Sequence, residues 1–360
     1  MSVAGRILTG AEALREALYQ AMASDEHVIV IGEGVPDPRG IFGTTVGLRE
    51  KFGAERVFDM PVSENGVTGI CIGAALEGYK PIMTHQRVDF SLYAFEQIVN
   101  NAAKWGYMFG HKQPVPLVIR MIIGRGWGQG AQHSQNLQAL FAHVPGLTVV
   151  TPSLPQAAKG LLLAAIGLSS PVIYIEHRWI HGLRGAVPLA PYEIPIGRAY
   201  VRRAGEDLTM VANSYYVVEA LRAAEVAAQF GMAVEVIDLL TVRPLDEETI
   251  LESVRRTGRL LVVDGSWPFG GVGAEIIARV AAAAYRALKS APQRLTLPDA
   301  PAPSAPALAR NYYPTHREIS EVVFAMVGRD VSLLHERWRA EDARGSVPHD
   351  VPEPLYTGPF

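Results

Sequence analysis

The sequence predicts an α/β protein with two open, mostly parallel sheets, each covered by helices on both faces. Three observations lead there. Short β-branched runs alternate with helical segments along the first half, the pattern of a parallel sheet with crossover helices. A second, compact alternation of three strands and three helices follows a proline-punctuated stretch. The composition, 49% hydrophobic and 19% charged over 360 residues, supplies enough apolar surface for two cores and excludes a disordered chain.

The elements follow in order. Ala11 to Met22 reads as a helix with Thr9 as its cap. His27 to Gly32 is a buried strand ending in glycine, and Arg56 to Asp59 a shorter one. Gly66 to Gly78 is a glycine- and alanine-dense helix whose small residues permit close packing. Lys80 to Met83 is a strand and Leu92 to Tyr107 a helix. Val115 to Ile123, Leu147 to Thr151 and Val172 to Glu176 are strands, with Pro155 to Ile166 a helix between the last two. Pro188 to Pro195 reads as extended linker. Strands at 208–212, 233–238 and 259–264 then alternate with helices at 216–230, 246–257 and 273–288, and a last helix spans Thr315 to Met326. The expected division is a domain over 1–190, a linker over 191–205, a domain over 206–328 and an extended tail over 329–360. In that tail Trp338, Leu355, Tyr356 and Phe360 are apolar anchors expected to dock on a partner.

Charge and composition narrow the function. With 33 basic and 36 acidic residues, no general phosphate-binding surface is expected, which argues against nucleic acid. One cysteine, Cys71, excludes a disulfide framework and any multi-cysteine metal site. The long apolar runs are interrupted by Arg120 in one and Glu275, Arg279 and Arg286 in the other, so no membrane span is expected. The N-terminus shows no targeting pattern, and a cytoplasmic location is expected.

Three segments carry candidate chemistry. In Asp59-Met-Pro-Val-Ser-Glu64-Asn-Gly66-Val-Thr-Gly69 a carboxylate stands between a strand end and a glycine-rich helix, where open parallel sheets bind ligands. The alternative is a helix N-terminal carboxylate satisfied by backbone amides. In Gly124-Arg-Gly-Trp-Gly-Gln-Gly130-Ala-Gln-His133-Ser-Gln135, glycines at alternate positions make a loop that delivers a histidine. The spacing is neither a dinucleotide fingerprint nor a P-loop. In Thr84-His85-Gln86-Arg87-Val88-Asp89-Phe90, polar residues crowd the end of a strand; Arg87 either pairs with Asp89 or binds an anionic substrate. The pair His177 and His181 follows a strand and is a weak metal candidate, so no metal site is expected. Neither Gly32-Glu33-Gly34 nor Asp264-Gly265 matches a Gly-Asp-Gly diphosphate motif, so any magnesium-diphosphate site belongs to another chain.

Together these segments resemble the beta subunit of the thiamine-diphosphate-dependent decarboxylase component of 2-oxoacid dehydrogenases, itself similar to the pyrimidine-binding and C-terminal domains of transketolase. The resemblance runs from about residue 5 to 328. It rests on Phe58 to Gly66, Gly69 to Ala75, Gln97 to Lys104, Gly130 to Gln135, Pro145 to Pro152, Asp238 to Leu245 and Val263 to Glu275, taken in order and spacing. It implies an α2β2 heterotetramer in which the alpha subunit holds the diphosphate and Mg2+, and in which an acyltransferase core can be attached. Glu64 then matches the glutamate that hydrogen-bonds the aminopyrimidine ring and favours its proton-abstracting form, with the cofactor as electron sink. Phe90 matches an aromatic neighbour of the pyrimidine, Val62 and Gln86 line the same pocket, and His133 matches a histidine that binds substrate or transfers protons. Gln86 stands where the family is usually apolar, and Glu176-His-Arg-Trp-Ile-His181 is more basic than usual. With His85 and Arg87 these changes point to a polar 2-oxoacid or sugar-like substrate. A split transketolase-like ketol transferase is the alternative within the family, and a non-catalytic structural or regulatory subunit the alternative outside it.

Overall fold

The computed structural model describes residues 6–124 and 129–342. The first unit runs β1 (Arg6–Thr9), α1 (Gly10–Ser24), β2 (Val28–Gly32), α2 (Leu48–Phe52), β3 (Val57–Phe58), α3 (Glu64–Leu76), β4 (Lys80–His85), α4 (Ala103–Met108), β5 (Val118–Ile123), α5 (Gln138–Ala142), β6 (Thr148–Val150), α6 (Pro155–Gly167), β7 (Val172–His177) and β8 (Arg184–Val187). The second runs β9 (Tyr200–Arg203), β10 (Leu208–Ala212), α7 (Tyr216–Gln229), β11 (Val234–Asp238), β12 (Thr241–Arg243), α8 (Glu247–Thr257), β13 (Leu260–Val263), α9 (Val272–Ala284), β14 (Gln293–Leu295), α10 (Pro306–Ala309), α11 (His316–Met326) and α12 (Ser332–Asp342).

The first sheet has the order β12-β6-β7-β5-β4-β2-β3, and the second β14-β13-β10-β11-β9. Pairing is parallel except for the edges: β12 runs antiparallel to β6 and β9 antiparallel to β11. Strands β4, β5 and β7 are almost wholly buried, as expected for sheets covered on both faces. Successive side chains divide the first core. Ile119, Met121 and Ile123 face one layer with Met83, Val67 and Phe141, while Val118 and Ile122 face α1 and α6 on the other. Helix α1 starts where Thr9 and Glu12 form a reciprocal capping box, which satisfies two otherwise orphaned amides.

Several elements differ from the sequence reading. The helix expected over Leu92 to Tyr107 is three pieces: a 3-10 turn at Phe90–Ala94, a π-helical stretch at Gln97–Ala102 and α4. The linker expected over 191–205 ends in β9, an edge strand. β12 leaves the second unit to close the first sheet, so the two units share a sheet edge and a continuous core. The tail is not extended at its start. Helix α12 lays Leu334 and Trp338 into the second core, where Arg317 and Arg337 stack on the indole at 5.1 and 5.4 Å. Trp338 is thus anchored on its own chain, because one apolar face of a short helix is enough to bind it there. Leu355, Tyr356 and Phe360 lie outside the described residues.

Candidate functional site

The site residues all follow carboxyl ends of neighbouring strands in the first sheet, the position where open parallel sheets leave a crevice. After β2 comes Glu33, after β3 Asp59, after β4 the segment 86–90, and after β5 Gly124. Asp59 Oδ1 accepts from the Gly34 amide at 3.0 Å and the Met60 amide at 2.9 Å, tying two of these turns together. Glu64 is the first residue of α3 and is 7% exposed. Among the described residues the hydrogen bond at Glu64 is to its backbone carbonyl, from Thr68 Oγ1 at 2.7 Å, and none is to its carboxylate, which counts against the reading of a carboxylate satisfied by backbone amides.

Glu33 stands beside it. Burial, then the Glu64 charge, then that of Asp59 push the Glu33 carboxyl above its ordinary range, and Oε1 is buried with no partner among the described residues. Gln86 Nε2 donates to the Glu33 carbonyl at 2.9 Å, which brings it to the same edge. Gly34, at φ +72°, is required here: a side chain would strain the backbone and meet Gln86 Nε2 at 2.9 Å.

The histidine lies across from this edge. Phe90 meets His133 edge to face, centroids 5.2 Å apart at 88°. Gln135 Nε2 donates to Asp89 Oδ1 at 2.7 Å, and burial raises the Asp89 carboxyl above its usual range. Asn136 Nδ2 donates to the Gly265 carbonyl of the second unit, and Gly130, at φ +67°, packs against Ser304. Asn65, next to Glu64, donates to the Tyr93 carbonyl at 3.3 Å and so joins the start of α3 to the turn that follows Phe90.

Arg87 is 2% exposed; Nη1 donates to the Gly124 carbonyl at 3.3 Å and Nη2 to Gln129 Oε1. Its guanidinium and that of Arg178 approach the ring of Phe42 at 5.7 and 4.3 Å. Phe42 itself sits at φ +51°, a strained conformation for a bulky residue. Two candidates stand apart. Val62 is 83% exposed. His85 is 3% exposed, its Nε2 meets no partner, and burial pushes its ring down to about 4, so it is neutral at physiological pH. His177 stacks on Tyr215 and accepts at Nδ1 from the Trp179 amide at 3.1 Å, while His181 lies 3.5 Å from Glu176. Glu176 is bound by Arg120 at 2.6 Å in a fully buried pair. Burial raises the Glu176 carboxyl, but Arg120 and His181 outweigh it and hold it below the ordinary range. Residues 125–128 of the glycine loop lie outside the described residues.

The structure therefore brings Glu64, Glu33 and Gln86 to one edge and Phe90, His133, Asp89 and Gln135 to another, with Arg87 beside the second. Glu33 was missed in the sequence because its glycine-flanked motif failed the diphosphate pattern; its position at a strand's carboxyl end was the available signal.

Comparison with known proteins gives the same architecture. Residues 8–180 match the transketolase pyrimidine-binding domain and residues 197–319 the transketolase C-terminal domain. The chain is 42% identical over 318 residues to the acetoin:2,6-dichlorophenolindophenol oxidoreductase subunit beta of Cupriavidus necator, covering 86% of this chain and 94% of that one. It is 40% identical over 316 residues to the pyruvate dehydrogenase E1 component subunit beta of Rickettsia felis, covering 88% and 97%. A split-gene transketolase, solved as an inactive beta4 tetramer, superposes with a TM-score of 0.72 at 24% identity, covering 91% of this chain and 99% of that one.

Proposed function

Because the chain belongs to the family of beta subunits built from transketolase pyrimidine-binding and C-terminal domains, we propose that it is the beta subunit of a thiamine-diphosphate-dependent 2-oxoacid dehydrogenase and works with an alpha subunit. The observation that carries this is Glu64: buried, its carboxylate without a hydrogen-bond partner among the described residues, and at the crevice end of the first sheet. The proposed cofactor, when bound, supplies a nucleophilic carbon and an electron sink. Glu64 hydrogen-bonds the aminopyrimidine nitrogen and shares its proton with the ring. Gln86 and Phe90 orient the ring, and Val62 lines its outer edge once a partner covers it. His133 binds the substrate carboxylate or serves in proton transfer.

The site is incomplete in one chain. Val62, Ile70 and Tyr93 are 83%, 66% and 73% exposed around Glu64, an apolar rim that suits a partner subunit. We assign the diphosphate and Mg2+ to that alpha subunit, within an α2β2 assembly. Buried Arg87 favours a substrate with a polar or anionic group, and the acceptor is an acyltransferase core or another oxidant. The printed names of the Cupriavidus necator and Bacillus subtilis relatives favour a second reading, in which the substrate is a hydroxyketone such as acetoin.

Calorimetry with thiamine diphosphate and Mg2+ tests the proposal, using the chain alone and then mixed with an alpha-like subunit from the same organism. Binding only in the mixture, with dye reduction abolished by Glu64→Ala, is the expected result. A stable complex that binds no cofactor would make the chain a structural or regulatory subunit.

A further inference from the structure

The turn that carries His133 is tied to the second unit at its far end, where Asn136 Nδ2 donates to the Gly265 carbonyl, while at its start Gly130 lies so close to Ser304 that a side chain there would clash. Between these points the described grip comes from Asp89 of the first unit. Its Oδ1 accepts from Gln135 Nε2 at 2.7 Å, two residues beyond the histidine. Asp89 stands at the N-cap of the 3-10 turn Phe90–Ala94 but makes no side-chain capping bond there, so that turn does not account for the carboxylate. The residue is 8% exposed, and Oδ2 is buried with no partner from another described residue. The next residue is Phe90, whose ring meets His133 edge to face. One short segment therefore holds the histidine twice: by its ring through Phe90 and by its turn through Asp89 and Gln135. A buried carboxylate is costly, and here burial does raise its proton affinity while Gln135, Arg87 and His133 oppose that.

We propose that Asp89 is a positioning residue for His133, acting through the Gln135 carboxamide to hold the imidazole at its working place in the site. This rests on the reading that His133 acts on the substrate.

The test uses the reconstituted alpha–beta complex with thiamine diphosphate and Mg2+, assayed by dye reduction with 2-oxoacids and acetoin. Asp89→Ala and Gln135→Ala are each expected to lower kcat by about tenfold to a hundredfold, the scale of a misplaced catalytic group. The double variant is expected to be no worse than either single one. Asp89→Asn, which keeps the acceptor oxygen, is expected to recover most of that loss. In a His133→Ala background, Asp89→Ala is expected to cost nothing further. The same factor lost in that background, or full activity in Asp89→Ala, overturns the proposal. Carbethoxylation of His133, followed by peptide mass spectrometry, reads its placement without turnover. It is expected to quicken several-fold in Asp89→Ala and to stay unchanged in Asp89→Asn; equal rates in all three proteins overturn the proposal. A wild-type complex that turns over none of the substrates, yet shows this difference in labelling, would sink the functional reading and leave the positioning intact.

Discussion

The two sheets are built alike, yet the carboxylates at the crevice of the first are held in the opposite way to the buried ones of the second. In the second unit each is saturated. Asp264 accepts from Gln138 Nε2, from the amide and hydroxyl of Ser266 and from the Gly273 amide, at 2.8–3.2 Å. Glu219 accepts from Tyr215, Arg222 and the His316 amide. Asp238 accepts from Ser153, Arg202 and the Leu240 amide. At the crevice of the first sheet the carboxylates are left short. The Glu64 carboxylate has no hydrogen-bond partner among the described residues, Glu33 Oε1 has none, and Asp89 spends one oxygen. A saturated buried acid is a joint; an unsaturated one costs stability and persists where it has a ligand or a proton to handle. The difference between the sheets is thus a difference of role.

The comparison breaks most sharply at Glu64. Glu64→Gln keeps size and polarity and removes the proton-holding group. Dye reduction by the reconstituted complex is expected to fall by about 10²–10⁴-fold, with the unfolding midpoint no lower than that of the wild type. Equal activity would place Glu64 among the joints. Asp264→Ala is expected to do the reverse. It strips four hydrogen bonds from a fully buried group that ties α5 to the second unit, so denaturant unfolding should show a loss of about 3 kcal/mol. Asp264→Asn should lose less.

Acid sharpens the contrast further. Burial raises the Glu219 carboxyl, but the His316 side chain and Arg222 outweigh it and hold it below the ordinary value. A carboxyl whose native value is depressed contributes stability above the unfolded-state value, and that contribution is lost as pH falls through the native one. Glu219→Gln is therefore expected to cost about 1–2 kcal/mol at neutral pH. The gap to the wild type should persist through the ordinary glutamate range and close only in stronger acid, as pH falls through the depressed native value and both proteins become neutral at this position. A gap that persists there would show that the loss is one of packing.

Much of the fold was legible because strands such as Val172–His177 are long β-branched runs and Thr9 with Glu12 writes a capping box. What escaped depended on distant partners. β9 and β12 are three or four residues long and exist only because β11 and β6 offer an edge. Trp338 looked like a free anchor because nothing local shows Leu334, Arg317 and Arg337 converging on it. At the site, Glu64 and His133 stood out by their glycine-rich surroundings. The Asp89–Gln135 bond spans 46 residues and the Glu33–Gln86 contact 53, distances at which spacing says nothing.

The smallest effect tests the same comparison from the stability side. Burial, Glu64 and Asp59 raise the Glu33 carboxyl above its ordinary value. For such a group the sign reverses: its favourable contribution is present below the unfolded-state value and is lost as pH rises through the native one, so at neutral pH ionised Glu33 weighs against folding. Glu33→Gln is therefore expected to raise the unfolding midpoint at pH 7, by no more than about 0.5 kcal/mol because the group is only partly buried. That gain should be absent near pH 4, where the wild-type carboxyl is protonated. Cofactor-dependent turnover should fall in the same variant, since an acid at the crevice edge beside Glu64 is gone. A protein made slightly more stable and less active by one neutral substitution would mark Glu33 as belonging with the crevice acids. A protein made less stable at pH 7 would move it to the saturated set and leave Glu64 without a charged neighbour that matters.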